Sequence, residues 1–178
     1  LMLSSNECKD KWFFIKTIKE SSFIFPFIPE TMRNDKDVVL AAVQTHREAL
    51  EHAPNRLKND KDVVLAAVEA WGTPLKWASD ALKNDNEVVI AAVNKFGPAL
   101  EYTSEALQND KTVALAAVLN HGISLKYASE QLKSDKEVVL VAVHQYGLAL
   151  QHASDHLKND KEVVLAAVQQ TGGALRFA

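Results

Sequence analysis

The chain has 178 residues, 47% of them hydrophobic and 24% charged, a composition that excludes a disordered or low-complexity protein. Its 20 basic and 23 acidic residues give a net charge of −3, which argues against a protein that tracks nucleic-acid phosphates. The single cysteine, Cys8, excludes an intramolecular disulfide. We find no apolar run near the roughly 18 residues of a membrane span and no signal region, so we expect a soluble protein without membrane contact.

The sequence repeats itself every 25 residues without an insertion. The clearest column is aspartate, at Asp10, Asp35, Asp60, Asp85, Asp110, Asp135 and Asp160. An apolar block, typically Val-Val-Leu-Ala-Ala-Val, a glycine and a leucine follow at fixed distances. Internal repetition of this period is typical of stacked supersecondary units. We therefore predict one continuous domain, with a degenerate N-terminal capping repeat at 1–34 and helical repeats at 35–59, 60–84, 85–109, 110–134, 135–159 and 160–178, the last of them truncated.

Capping chemistry predicts three elements in each repeat. In the repeat 60–84, Asn59 stands three residues before Asp62, the spacing of a capping box that starts a long helix with Asp60 on its first turn. Gly72 is expected to end this helix in the left-handed conformation, after about 12 residues. A second, shorter helix follows, and Ser79 begins a last short turn of α or 3-10 helix.

The apolar block covers most of the circumference of the long helix, so this helix must be buried on several sides. Stacking each long helix between its two neighbours provides that burial. The fold class we predict is therefore all-α, an α-solenoid of about seven repeats.

The two ends of the array depart from the pattern. The first repeat is rich in aromatic residues, which we expect to seal the stack: Trp12, Phe13, Phe14, Phe23, Phe25 and Phe27. The last repeat stops before its final turn, so Leu165 and Leu175 are predicted to be exposed. We expect this end to support end-to-end self-association.

The repeats also carry a family resemblance. Leu-Lys-Asn-Asp-Lys-Glu-Val-Val-Leu-Ala-Ala-Val at 157–168, preceded by Ala153-Ser154, resembles a tandem helical repeat known only as a domain of unknown function. The resemblance covers about 31–178, and residues 1–30 depart from it. It implies helical repeats, no assigned activity or cofactor, and an occurrence in effectors of Legionella-type bacteria, in chlamydia relatives and in protists. By that resemblance, the chain is part of a bacterial effector that is secreted into a host cytoplasm.

Residues with potential for chemistry do not form a recognisable site. His152 and His156 could face each other at a spacing of four, but only if one helix ran through Ser154, which we interpret as a cap. The aspartate column lacks the glycine and distal glutamate of a calcium loop, so helix capping explains it better. Cys8 has no histidine nearby in the sequence. We therefore predict no enzyme, with no catalytic, cofactor-binding or metal-binding residues.

Variable positions are more informative, because a repeat scaffold is free to use them to recognise a partner. The candidate partner-binding residues are Glu69, Trp71, Trp77, Lys95, Tyr102, Leu119, Asn120, Tyr127 and His144. Two alternatives stay open: the apolar ones bury against neighbouring helices, or the aromatic ones form a seam between repeats. A column that alternates in sign suggests cross-repeat ion pairs: Glu51, Lys76, Glu101, Lys126, Gln151 and Arg176.

Two functional hypotheses follow from these patterns. The first is a non-enzymatic scaffold for protein–protein interaction, with a protein partner and no nucleic acid. The alternative is a rigid structural spacer that positions another domain of a longer protein.

Overall fold

The structure, a computed structural model, describes the backbone of residues 5–178, and the side chains from residue 10 onward except that of Ser22. Over this range the chain forms α-helices and 3-10 helices and no strand. It is an α-solenoid, as predicted, in which successive repeats pack side by side. We number the repeats 1 (10–34), 2 (35–59), 3 (60–84), 4 (85–109), 5 (110–134), 6 (135–159) and 7 (160–178).

Each repeat contributes a long helix, a middle segment and, except for the last, a short helix. The long helices are Ser5–Glu20, Lys36–Thr45, Lys61–Trp71, Asn86–Lys95, Lys111–Asn120, Lys136–Gln145 and Lys161–Gln170. The middle segments are Ser22–Phe27, Ala49–His52, Thr73–Trp77, Gly97–Tyr102, Gly122–Tyr127, Gly147–His152 and Gly172–Phe177, all 3-10 except the α-helical Ala49–His52. The short α-helices are Glu30–Arg33, Asn55–Lys58, Asp80–Lys83, Glu105–Gln108, Glu130–Lys133 and Asp155–Lys158.

The start of the long helix differs from the prediction by one residue. Asp60, not Asn59, is the N-cap, and its carboxylate accepts hydrogen bonds from the backbone N–H groups of Asp62 (3.1 Å) and Val63 (3.2 Å). Asn59 instead ends the preceding short helix, and its side-chain oxygen accepts a hydrogen bond from Ser79 of the next repeat (2.6 Å). The predicted capping box was therefore wrong, because the asparagine is used between repeats.

The glycine column also has a different role from the one predicted. Gly72 is the one described glycine with a positive φ, 75°, and it closes its helix as expected. The long helices of repeats 4 to 6 end one residue earlier, at extended residues such as His121. Gly122 is required there for packing, since a Cβ at this position would overlap the carbonyl oxygen of Ala142 on the next long helix. The prediction of a left-handed glycine holds at Gly72 alone.

The core runs along the whole stack. Each interior long helix buries most of its valines and alanines, and Val63, Val64 and Ala67 of repeat 3 are fully buried. The leucine of each middle segment, for example Leu100, is also fully buried from repeat 2 to repeat 6. Short helices of consecutive repeats are tied by backbone hydrogen bonds, such as that from Ser104 N–H to the Lys83 carbonyl (3.0 Å). The stack is therefore one hydrophobic core crossed by a regular set of polar links.

A ladder of ion pairs connects the first turns of the long helices. Lys61 Nζ lies 2.8 Å from a carboxylate oxygen of Asp85 and 2.8 Å from one of Glu87, both in the next repeat. The same contacts are made by Lys11, Lys36, Lys111 and Lys136. From the sequence we expected ion pairs instead in the column that contains Glu101 and Lys126. That prediction was wrong: the side chains of that column form no cross-repeat ion pair in the described structure.

Both ends of the stack expose apolar side chains. Phe25 is buried, but four aromatics of the first repeat are exposed: Trp12 (70%), Phe13 (64%), Phe23 (74%) and Phe27 (87%). The predicted aromatic seal is therefore only partial, because no described helix packs on that side of repeat 1. At the other end Leu165 (49%) and Leu175 (62%) are exposed, as predicted. None of the described helices is both long enough and apolar enough to cross a membrane.

Candidate functional site

The candidate partner-binding residues divide between two surfaces of the stack. The first is the helix-end surface, formed by residues 69–71 at the end of the long helix of repeat 3 and by the equivalent residues 44–46, 94–96, 119–121 and 144–146. It carries Glu69, Trp71, Lys95, Leu119, Asn120 and His144. The second is the middle-segment surface, formed by the ends of the middle segments together with the short helices, and it carries Trp77, Tyr102 and Tyr127. The sequence analysis treated these positions as one group, but the structure separates them.

The exposed large apolar side chains of the interior repeats lie on the helix-end surface. From repeat 2 to repeat 6, the exposed large hydrophobic side chains are Trp71 (39%), Leu119 (62%) and Tyr146 (37%). All three belong to this surface, although Tyr146 was not among the predicted site residues. Its signal was present in the aromatic column that contains Trp71, but only the structure shows which members of that column are exposed. Exposed large apolar side chains that share one surface favour a role in protein binding.

Shallow grooves lie between consecutive repeats on the same surface. One groove lies between repeats 5 and 6 and is lined by Asn120, His121, Gly122, Ile123, Gln145 and Tyr146. An equivalent groove lies between repeats 2 and 3, where repeat 1 also contributes, and is lined by Phe23, Thr45, His46, Arg47, Glu48 and Trp71. The backbone framework recurs while the lining changes. This surface can therefore present different chemistry at each repeat.

Two of the predicted residues, Trp71 and Asn120, also link neighbouring repeats, and a third, His144, contacts its own helix. The indole N–H of Trp71 donates to the Val43 carbonyl of the preceding repeat (3.0 Å). The Asn120 amide bridges repeats 4 and 5, donating to the Asn94 carbonyl (2.8 Å) and accepting from the Gly97 N–H (2.8 Å). His144 Nδ1 contacts the Leu140 carbonyl on its own helix (2.7 Å). Glu69, Lys95 and Leu119 are exposed without such contacts in the described structure.

The aromatic residues of the middle-segment surface do not stack on one another and are not fully exposed. Trp77, Tyr102 and Tyr127 are half-buried, and Lys126 Nζ lies 5.3 Å from the ring centre of Tyr127. Burial raises the pKa of Tyr102 and Tyr127, and the nearby Glu101 carboxylate raises both further. The ring pairs that do form between repeats lie on the helix-end side, for example Phe96 with His121 at 5.5 Å between centroids. The proposed aromatic seam is therefore not found in this column.

The described residues bring no metal-binding group of three or more His, Cys, Asp or Glu side chains together. His152 lies on a middle segment and His156 on the following short helix, with Ser154 between them as an extended N-cap. The two rings therefore do not share a helix face. The side chain of Cys8 lies outside the described residues.

The architecture defines the chain as a helical repeat protein of the α-solenoid class. The family model described as Domain of unknown function (DUF4116) matches residues 10–58, 35–83, 85–133 and 135–178, and the chain belongs to this family. The resemblance seen in the sequence is thereby confirmed, but it begins at residue 10 rather than at about residue 31, because the first repeat also matches the family model. No curated protein and no solved structure matches the chain.

Proposed function

We propose that this chain is a non-enzymatic scaffold that binds a protein partner through its helix-end surface. The observation that carries the proposal is the position of Trp71, Leu119 and Tyr146, the exposed large apolar side chains of the interior repeats, on this one surface. Tryptophan and tyrosine are among the residues that most often dominate the affinity of protein interfaces. Within the same proposal, the chain is the recognition part of a bacterial effector that acts in a host cytoplasm.

The residue type on the helix-end surface varies from repeat to repeat, which favours recognition of a partner over packing between repeats. Neighbouring members of one column are Glu69, Asn94, Leu119 and His144, so charge and polarity change from repeat to repeat. The buried columns change little, since Val63, Val88 and their equivalents are valine in repeats 2 to 7. A constant core with variable exposed positions is what a repeat scaffold needs for specificity.

The alternative function, a rigid spacer, is favoured by a different observation. The Lys61 to Asp85 contact and its equivalents link the first turns of successive repeats, and backbone hydrogen bonds such as Ser104 to Lys83 link their short helices. Links on two sides of the stack resist bending of one repeat against the next. A spacer requires this stiffness and no particular exposed side chain.

The test compares two variants with the same change in charge. The first, Leu119→Asp with Tyr146→Asp, places carboxylates on the helix-end surface. The control, Ala81→Asp with Ala106→Asp, changes two exposed alanines on the short helices. Both avoid Asn120 and Trp71, whose hydrogen bonds join repeats. Folding is checked by circular dichroism and urea unfolding before either variant is used.

Affinity purification from host-cell lysate with mass spectrometry then gives the readout. The scaffold hypothesis expects a protein captured by the parent chain and by the control, and lost from the helix-end variant. Identical capture by all three chains would contradict recognition through this surface and favour the spacer.

A further inference from the structure

The middle-segment surface changes its charge along the stack. In repeats 5 to 7 it carries a basic patch, which we define as Lys126, Lys133, His152, Lys158 and Arg176. Four of these residues are cationic, while the whole chain has a net charge of −3. Such a local excess is not a consequence of overall composition.

The cations at the ends of the middle segments are not neutralised by the protein. Lys126 Nζ lies 5.3 Å from the ring centre of Tyr127, and the Arg176 guanidinium lies 4.6 Å from that of Phe177. Both side chains are exposed, and neither forms an ion pair with a described carboxylate. Each is therefore held over an aromatic ring with its charge facing outward.

The cations on the short helices are only weakly neutralised. Lys133 Nζ lies 2.8 Å from Glu130, and Lys158 Nζ lies 3.5 Å from Asp155. The two acidic side chains are 88% and 98% exposed, so water screens these pairs strongly. A ligand carboxylate can compete for both lysines.

Three lysines of the basic patch affect the protonation of a single side chain, His152. Its half-buried ring has a lowered pKa, first because burial disfavours the charged form and then because Lys133, Lys126 and Lys158 all repel a proton there. Three ammonium groups from two repeats therefore lie near enough to this imidazole to oppose its protonation. Together with Tyr127 and Phe177, which are also half-buried, this ring provides a partly apolar floor between the cations.

The same positions in repeats 3 and 4 do not form such a patch. Lys76 and Lys83 match Lys126 and Lys133, but Glu101 and Gln108 stand where the next repeat of the patch has Gln151 and Lys158. Glu101 also faces Tyr102 and Tyr127, which places a carboxylate at the border of the basic patch. The positive charge is thus a property of repeats 5 to 7 and not of the fold.

We propose that the basic patch binds an acidic, extended segment of a protein. Lys126 and Arg176 mark positions two repeats apart, and stacked helices are separated by about 8–10 Å per repeat. Carboxylates on one side of an extended peptide recur about every 6.6–6.8 Å, so several of them reach successive cations. The aromatic floor then accepts the aliphatic parts of the peptide, which a free phosphate lacks. This surface is separate from the helix-end surface, so the proposal does not depend on the proposed function.

The binding test uses a fluorescein-labelled peptide in which glutamate alternates with alanine, and its counterpart with glutamine for glutamate. We expect the glutamate peptide to bind the parent chain, to lose affinity as salt rises and to bind far more tightly than the glutamine peptide. The variant Lys126→Glu with Lys158→Glu should lose about tenfold or more in affinity. The matched control, Lys76→Glu with Lys83→Glu, makes the same charge change on the same surface and should retain binding. The helix-end variant Leu119→Asp with Tyr146→Asp should also retain binding.

A second readout is the titration of the His152 ring followed by NMR. Bound carboxylates offset the surrounding lysines, so the pKa of His152 should rise when the peptide binds. Absence of binding, equal loss in the two lysine variants, equal binding of the glutamine peptide or an unchanged His152 pKa would each overturn the proposal. Displacement of the peptide by an equal concentration of inorganic phosphate would also overturn it, in favour of a phosphate site.

Discussion

Single residues in this protein often act between repeats rather than within one. Asn59 of repeat 2 was expected to cap the long helix that follows it, yet its side-chain oxygen accepts a hydrogen bond from the Ser79 hydroxyl of repeat 3. Asn120 satisfies a carbonyl and an N–H of the preceding repeat, and Gln170 does the same for the N–H of Gly147 (2.6 Å). A column in a repeat sequence can therefore record contact with a neighbouring unit, which a local rule for helix caps does not consider.

The glycine column gives a test at this scale. Gly122→Ala places a methyl group against the Ala142 carbonyl, so we expect a loss of about 1–3 kcal/mol in the free energy of unfolding. Gly172→Ala is the matched control, because its Cβ would meet nothing within 4 Å and its φ is not positive. Urea unfolding followed by circular dichroism measures both. Equal destabilisation of the two variants would show that the column acts through backbone conformation and not through close packing.

At the scale of elements, the ion-pair ladder is interrupted at one junction, between repeats 4 and 5, where both the lysine and the second acid are replaced. Asn86 stands where the other long helices carry lysine, and Thr112 of the next repeat stands where the other repeats from 2 to 7 carry an acid. Asp110 keeps its role as N-cap and accepts a hydrogen bond from the Val113 N–H (3.0 Å). The lysine and the second acid are therefore absent together at this junction, whereas the aspartate is kept and caps its own helix.

Completing the ladder should stabilise the junction between repeats 4 and 5. Asn86→Lys and Thr112→Glu together should raise the urea midpoint by more than the sum of the single changes, since the new lysine can contact Asp110 in the single variant but contacts the new glutamate only in the double variant. The effect should be small, because these pairs are exposed to solvent. A double-mutant cycle measures the coupling, and strict additivity would contradict a direct contact.

The ladder also predicts how stability depends on acid. Hydrogen bonds from Lys61, Lys111 and Lys136 lower the pKa of Asp85, Asp135 and Asp160, respectively. A lowered folded-state pKa contributes stability that is present above the unfolded pKa of about 4 and is lost as the pH falls through the folded value. The parent chain should therefore exceed Lys111→Met in stability at pH 6, and the difference should shrink below about pH 4. A pH-independent difference in urea midpoint would show that the lysine acts through its aliphatic chain instead.

The whole molecule is a stack whose two end faces are chemically different from its sides. Leu150 of repeat 6 is fully buried, whereas Leu175, its equivalent in repeat 7, is 62% exposed. Lys161 continues the lysine column of the ladder but has no described carboxylate partner. The last repeat therefore exposes a leucine and a lysine whose equivalents in repeat 6 are covered or paired by the next repeat.

We expect the 178-residue chain to associate through this face. Leu165→Glu with Leu175→Glu should reduce the apparent mass at high protein concentration, because it removes the exposed apolar contacts. Sedimentation velocity over a range of concentrations measures the association, with Ala81→Asp and Ala106→Asp as the control on another surface. A parent chain that stays monomeric at every concentration would disprove the expectation.

Much of the fold could be predicted because the repeat supplies the same evidence several times. The long helices, the buried Val-Val-Leu-Ala-Ala-Val blocks and the serine caps of the short helices, such as Ser104 on Leu107 N–H (3.3 Å), follow from local pattern and capping chemistry. The candidate site was less accessible to such reasoning. Leu119 and Trp77 had similar status as variable positions, and only packing shows that the first is 62% exposed and the second half-buried.

The sequence alone determined the repeat length, the number of repeats and the all-α stack, because helix periodicity and caps are encoded within about 25 residues. Tertiary structure decided what each column is for. The Lys61 to Asp85 pair, the contact of Gly122 with the next helix and the basic patch around His152 all join residues of different repeats. Such contacts depend on how one repeat is placed against the next, and that geometry is set by packing of the whole stack rather than by any single repeat.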